Sequence, residues 1–414
     1  MSMGVIDCRG KTTAENGLAI IERYNASAAG ACFEARVDAC GPGLKIWLLE
    51  AGVRHRVSPL ADGSSRIFME RGLCPAQGSV SGVHHVVSGN DGTVWTCERG
   101  RRAARIDGHA KRVVASGVVA HKASHLAIAG EGRMLFIADA GNNQIVAARA
   151  SDLKVEQTWP APGMPHLPLV NQDGIVCVTG AGTGTLTIAR LRGARYVEQT
   201  LTVGSCPHDP LLTLDDEHLF VPCAGDSELV KVRLADGHIV GRCAVGDGPS
   251  HLALHPDGSR LYSANSWDGT LTCITVDGER VADAESGGWA HAIAITPDGR
   301  WVYVANFLDD TLAVFDSDTL ARVALLPTEP YPHGLDISPD GRYAIATGFS
   351  SGHLRLYDAQ AHSEIARIEV GLGSSHSVFL NDEDTAFVGC SVGDHVACVD
   401  LAARGGMMRL RLDA

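Results

Sequence analysis

Nine of the 18 histidines in this chain fall at a regular interval. His84 with His85 beside it, then His125, His166, His208, His251, His291, His333 and His376, follow one another at steps of 40 to 43 residues. Neutral imidazole is the commonest metal-binding side chain. A repeat places equivalent positions at equivalent points of successive structural units, so this spacing predicts that the rings converge on one axis. Crowded there, they cannot all be protonated, because neighbouring positive charges depress one another's pKa. A ring of neutral imidazoles suits copper, iron, zinc or nickel. The same residues could instead hydrogen-bond neighbouring backbone as a structural ring, or line a metal-free pocket for an anionic substrate.

A second column lies at the end of a strand downstream of each histidine. It holds Asp139, Cys223, Asn265, Asn306 and Cys390, with Cys97 and Glu98 in the first repeat and Gly180 and Gly348 in two others. An antiparallel pair sets the end of one strand beside the start of its partner, so both columns should meet on one face. Asp139, Cys223, Cys390 and Glu98 are therefore candidates for proton transfer or for extra ligands. Asn and Asp in such places also fold turns. Cys206, two residues before His208, is a further candidate sulfur donor, and Trp267, Phe307 and Phe349 follow the column as an apolar rim.

The elements that would carry these residues are legible as repeats. Pro249-Ser-His-Leu-Ala-Leu-His-Pro-Asp-Gly258, Ala290-His-Ala-Ile-Ala-Ile-Thr-Pro-Asp-Gly299 and Pro332-His-Gly-Leu-Asp-Ile-Ser-Pro-Asp-Gly341 nearly match, and a strand-like run follows each one. Weaker copies turn at Asp91-Gly92, Glu131-Gly132, Asp173-Gly174, Asp215-Asp216 and Asn381 to Asp384. Four short strands per unit of roughly 42 residues, punctuated by Asp-Gly, describe a propeller blade. The predicted architecture is an all-β propeller of eight blades over about residues 78–414, or seven if the first copy is misread. Side-chain direction stays open. His125 and His251 stand seven residues before the turn glycine, whereas His84, His166, His291 and His333 stand eight before it. A shift of one residue flips a strand side chain, so either bulges restore the direction or some rings point into blade interfaces.

Tyr303-Val-Ala-Asn306 and Tyr262-Ser-Ala-Asn265, each after a Pro-Asp-Gly turn, resemble the YVTN family of β-propellers. That resemblance implies the fold and leaves the chemistry open. Residues 1–73 read as a separate βαβαββ domain, with helices over Thr13–Tyr24 and Pro42–Ala51. The propeller domain is taken as 74–414. The N-terminal order, with Asp7-Cys-Arg-Gly10, resembles the TusA-like sulfur carriers. Their reactive Cys-Pro is replaced here by Thr13-Ala14, so sulfur transfer would have to fall to Cys8, which reads more readily as a bystander thiol; a protein partner docking through this domain is the other role the resemblance leaves open.

A net charge of −13 argues against a nucleic-acid-binding face. No run of 18 apolar residues is present, so no membrane span is expected. Twelve cysteines without CxxC spacing, and no leader after Met1, fit reduced thiols in the cytoplasm. Four function classes follow. The first is a copper- or iron-dependent redox enzyme acting on a small molecule, similar in principle to nitrous oxide reductase and to the methanethiol oxidase and selenium-binding group. The second is a tetrapyrrole binder resembling haem d1 propellers. The third is a metal-assisted lyase or lactonase, and the fourth a non-enzymatic scaffold.

Overall fold

The computed structural model describes residues 4–10, 32–38, 55–59, 64–70, 82–98, 100–129, 132–380, 384–392, 395–403 and 406–412. The chain divides into two compact units, Met1–Val80 and Ser81–Ala414. The first contains β1 (Gly4–Asp7), β2 (Cys32–Val37), β3 (His55–Pro59) and β4 (Ser65–Glu70), in the sheet order β1-β2-β4-β3. β1 and β2 pair in parallel, and the other pairs are antiparallel. The helices expected over Thr13–Tyr24 and Pro42–Ala51 lie outside the described residues.

The second unit is a propeller of eight blades, each a four-stranded antiparallel meander of consecutive strands. Blade 1 runs from Val83 to Val118 and blade 8 from Ser374 to Arg411. The burial pattern explains the composition of the strands. Second strands such as Trp301–Asn306 are buried along their whole length because both faces pack against neighbouring blades. Outermost strands such as Arg322–Pro327 alternate exposed and half-buried residues.

The repeated Asp-Gly turns have a local cause. The Asp carboxylate accepts the backbone N–H two residues on, as in Asp257 to Ser259, Asp298 to Arg300 and Asp340 to Arg342. The following glycine takes a positive φ, 74° at Gly258 and 75° at Gly299, a conformation that glycine adopts without strain. Blade 4 makes the same turn with Asp216 at φ 63°.

Because every blade is built from consecutive strands, no strand from one end of the chain completes a blade begun at the other. Side chains and loops close the circle instead. Gly82 N donates to Ser391 O at 2.9 Å, and Ser375 Oγ donates to His84 O at 2.7 Å. Val83, Val86, Val94 and Ile106 of blade 1 share a buried apolar cluster with Leu380, Phe387, Val396 and Leu410 of blade 8. Emptying this seam should open the circle. Phe387→Ala should destabilise the propeller by about 3–5 kcal/mol in chemical denaturation, and Val118→Ala at an exposed position should change it by less than about 0.5 kcal/mol.

Candidate metal centre

The eight innermost strands are Val83–Ser88, Ala123–Ala129, Pro165–Val170, Leu211–Leu212, Pro249–Leu254, Ala290–Ile295, Pro332–Ile337 and Ser374–Phe379. In seven of them the ladder breaks at or beside the column histidine. The register shifts fall between Val83 and His85, Ala123 and Leu126, Pro165 and Pro168, Pro249 and His251, Ala290 and Ile293, Pro332 and Leu335, and Ser374 and Ser377. Blade 4 breaks for longer: Pro207 bridges Cys223, and strand pairing resumes only at Leu211. A bulge re-aims one side chain at the cost of ladder bonds, and hydroxyls recover the freed carbonyls. Thr96 Oγ1 donates to His85 O at 2.7 Å, Ser266 Oγ to Ala290 O at 2.8 Å, and Thr347 Oγ1 to Ser375 O at 2.6 Å. Bulges thus reconcile the unequal spacing between histidine and turn.

The imidazoles form a closed circuit. Ring centroids lie 4.0 Å apart for His125–His166, 4.9 Å for His166–His208, 5.1 Å for His208–His251, 4.5 Å for His251–His291, 5.0 Å for His291–His333 and 5.3 Å for His333–His376. His376 returns to His125 at 5.1 Å. His84 and His85 both pack against this join, at 4.8 to 5.0 Å from His125 and His376. Nε2 of His125 lies 3.3 Å from Nε2 of His376, and ligand nitrogens of His84, His125 and His376 all fall within 4.8 Å of one another. Two nitrogens bound to one ion at about 2.0–2.1 Å stand about 3–3.4 Å apart, so the pair is spaced as co-ligands are. His125 is buried, and its Nδ1 has no hydrogen-bond partner.

Burial sets the charge state of five of the ring's imidazoles. It pushes His85 down to about 4 and His208 to about 3. It also holds His125, His291 and His376 well below the usual histidine range, with the neighbouring imidazoles adding to the effect. At neutral pH these five are uncharged imidazoles rather than a cationic anion trap.

The structure adds Asp209, which the histidine spacing does not reveal. Its Oδ1 lies 2.7 Å from His166 Nδ1 and 3.6 Å from His208 Nδ1, and its Oδ2 lies 3.2 Å from His251 Nε2. Burial works to raise this carboxyl, but the imidazoles of His166 and His208 and the bonds with His166 and His251 hold it well below the carboxylate range. A signal was available. The residue after the column histidine is Leu126, Leu167, Leu252, Ala292, Gly334 or Ser377 in six blades, and only His85 and Asp209 bring a titratable group there.

The second column meets the first in backbone register. Glu98 pairs with Val83, Asp139 with Ala123 and Cys390 with Ser374, while Cys223 bridges Pro207. Its side chains serve elsewhere. Asp139 accepts the N–H groups of His121 and Lys122 and the amides of Asn142 and Gln144, so its lone pairs are committed to the loop. Cys223 and Cys390 are fully buried, and burial pushes both thiols up to about 12, away from the thiolate that ligation or nucleophilic attack requires. Cys206 is pushed up to about 11 in the same way. Among the described residues, the groups spaced for an ion include none of Glu98, Asp139, Cys206, Cys223 and Cys390. Of the expected rim, Phe307 packs at 5.8 Å from His291 and Phe349 at 5.7 Å from His333.

Comparison with known proteins supports the propeller. A family model described as lactonase, seven-bladed β-propeller, matches residues 183–365, from the third strand of blade 3 into the fourth strand of blade 7. The chain is similar to the solved hydrazine synthase of Kuenenia stuttgartiensis, with 17% identity and a TM-score of 0.57, over 67% of this chain and 95% of that one. It is also similar to dihydro-haem d1 dehydrogenase NirN in complex with DHE, with 17% identity and a TM-score of 0.60, over 69% of this chain and 66% of that one. A third similar structure is a putative 6-phosphogluconolactonase from Bacteroides uniformis, with 18% identity and a TM-score of 0.56, over 66% of this chain and 93% of that one. At such identities the likeness shows the fold alone. No curated protein matches the chain significantly.

The neutral ring has a consequence for stability. Between about pH 6.5 and 4 the unfolded chain takes up protons that His85 and His208 refuse when folded, so stability falls on acidification, by at most about 1 kcal/mol per pH unit for each such histidine. Asp336, pushed up to about 7 by burial, acts in the opposite sense, but it is one group against five. Urea unfolding of chelator-treated protein should therefore give a lower midpoint at pH 5 than at pH 7. Equal midpoints would mean that the imidazoles are protonated in the folded state.

Proposed function

We propose that the chain is a transition-metal enzyme of the cytoplasm, with copper or iron at the histidine ring and a small molecule as substrate. The observation that carries this reading is the group of buried His84, His85 and His125 with half-buried His376, where two Nε2 atoms already stand at co-ligand distance and His125 Nδ1 lacks a hydrogen-bond partner. The donor set fits such an ion: neutral nitrogen ligands, buried, on strands locked between blades. When bound, the metal would supply a Lewis acid and an electron-transfer centre. The protein's share is to keep the imidazoles unprotonated, to fix their directions through the bulged strands, and to shield the blade 6 and 7 side with Phe307, Tyr331 and Phe349. Cys177, Cys206, Cys223, Cys243, Cys273 and Cys390, buried and free among the described residues, accord with a reducing compartment. No helix among the described residues is long and apolar enough to cross a membrane. We read the repeats as YVTN-type and the N-terminal unit as a TusA-like module for protein docking.

The aromatic wall favours a second reading, in which His291 or His333 would ligate the iron of a haem-type tetrapyrrole and Phe307 and Phe349 would cover its apolar face. Elemental analysis and an absorption spectrum of untagged protein separate the two. The first reading predicts at least one copper or iron per chain without an intense haem-type band, and loss of that metal in His84→Ala/His376→Ala. Metal-free protein that takes up no copper or iron on reconstitution would refute it, and an intense visible band would transfer the assignment to the tetrapyrrole. Metal without redox activity would favour a lyase or lactonase.

A further inference from the structure

The ring is chemically uneven, and Asp209 makes it so. We propose that Asp209, His166, His208 and His251 form a second metal site, selective for a divalent ion of the Fe(II), Mn(II), Co(II) or Zn(II) type and open to substrate. This deepens the metal reading given above but rests on different residues.

Four observations carry it. The first is spacing. From the Asp209 carboxylate to the three imidazoles the separations are 2.7, 3.2 and 3.6 Å. Donors bonded to one ion at about 2.0–2.2 Å stand about 3–3.5 Å apart, so small shifts would admit the ion between them. The second is charge. Asp209 is 7% exposed, and its ion-pair partners among the described residues are imidazoles alone, with no Lys or Arg. An anion so buried needs compensating positive charge. His208 Nδ1, 3.6 Å from the carboxylate, has no hydrogen-bond partner. A divalent cation satisfies both groups.

The third observation is the backbone. Blade 4 has an innermost strand of two residues, Leu211–Leu212, where the other blades have six or seven. Asp209 lies between the Pro207–Cys223 bridge with its His208 N to Pro222 O bond and the ladder that resumes at Leu211, so the strand is shortened where the carboxylate enters the ring. The fourth is access. The side chains of His166, His208 and His251 are 34%, 26% and 18% exposed, whereas His84 and His125 are buried. A site reachable from solvent can keep a coordination position for substrate, as catalytic sites do and closed sites do not. A mixed nitrogen and oxygen set also prefers different ions from an all-imidazole set. The two arcs should therefore differ in the metal they prefer.

Anaerobic titration with Co(II) tests this on the full-length chain, after chelation and without an affinity tag. Visible d–d absorption follows binding, and elemental analysis after desalting gives the stoichiometry. Wild-type protein should hold two equivalents. Asp209→Asn and His208→Ala should each hold one, with unchanged thermal unfolding of the metal-free protein. Asp209→Glu, which keeps the carboxylate, should hold two, with the second bound at least about tenfold more weakly. His84→Ala/His376→Ala should keep the equivalent that depends on Asp209. If wild type holds one equivalent that Asp209→Asn retains and His84→Ala/His376→Ala loses, the second site is refuted and the first stands. A single equivalent lost only in Asp209→Asn would uphold this site and refute the first. No bound cobalt in any form would refute both. If Asp209→Asn misfolds, the Asp209→Glu stoichiometry decides: one equivalent there overturns the proposal.

Discussion

Imidazoles can share an axis only if they are mostly uncharged, and that restriction governs the rest of the molecule. Neighbouring rings lie 4.0 to 5.3 Å apart around the circuit, too close for adjacent positive charges in a buried setting. Burial supplies neutrality directly, by making each proton costly on His85, His125, His208, His291 and His376. The propeller in turn supplies burial, because eight sheets packed face to face cannot spread to relieve the crowding. What results is a crowded ring of largely uncharged imidazoles, at some expense to stability in acid.

Directing those rings inward breaks the innermost ladders beside the column histidine in seven blades, and over a longer stretch in blade 4. Strand hydrogen bonds are lost there, and Thr96, Ser266, Thr347 and Ser375 take up carbonyls at or beside the breaks. The small hydroxyl residues of the inner and second strands thus belong to the site although they do not face it. The same economy explains Asp139, whose carboxylate ties the approach loop of blade 2 to its second strand, and the buried thiols of Cys223 and Cys390, which fill space at the strand ends.

Much of this was readable from the chain. The Pro-Asp-Gly turns, strands of six residues and steps of 40 to 43 residues define eight blades, because turn chemistry and strand length are local properties. The histidine column was visible because a repeat superimposes equivalent positions. Side-chain direction was not, since one residue of bulge reverses it and nothing in the sequence of Pro332-His-Gly-Leu335 marks the break. Recurrence does not reveal Asp209, which stands in one blade only. For Asp139, Cys223 and Cys390 the register of the repeats gives the backbone position, but it says nothing of the loop amides and apolar walls around the side chains.

X-ray absorption at the edge of the metal bound in untagged protein tests the central claim most directly. Imidazole ligation predicts a first shell of nitrogen or oxygen at about 2.0–2.1 Å with the outer-shell scattering of histidine rings. A sulfur shell at about 2.3 Å, or a first shell with no imidazole signature, would contradict a metal held by the histidine ring.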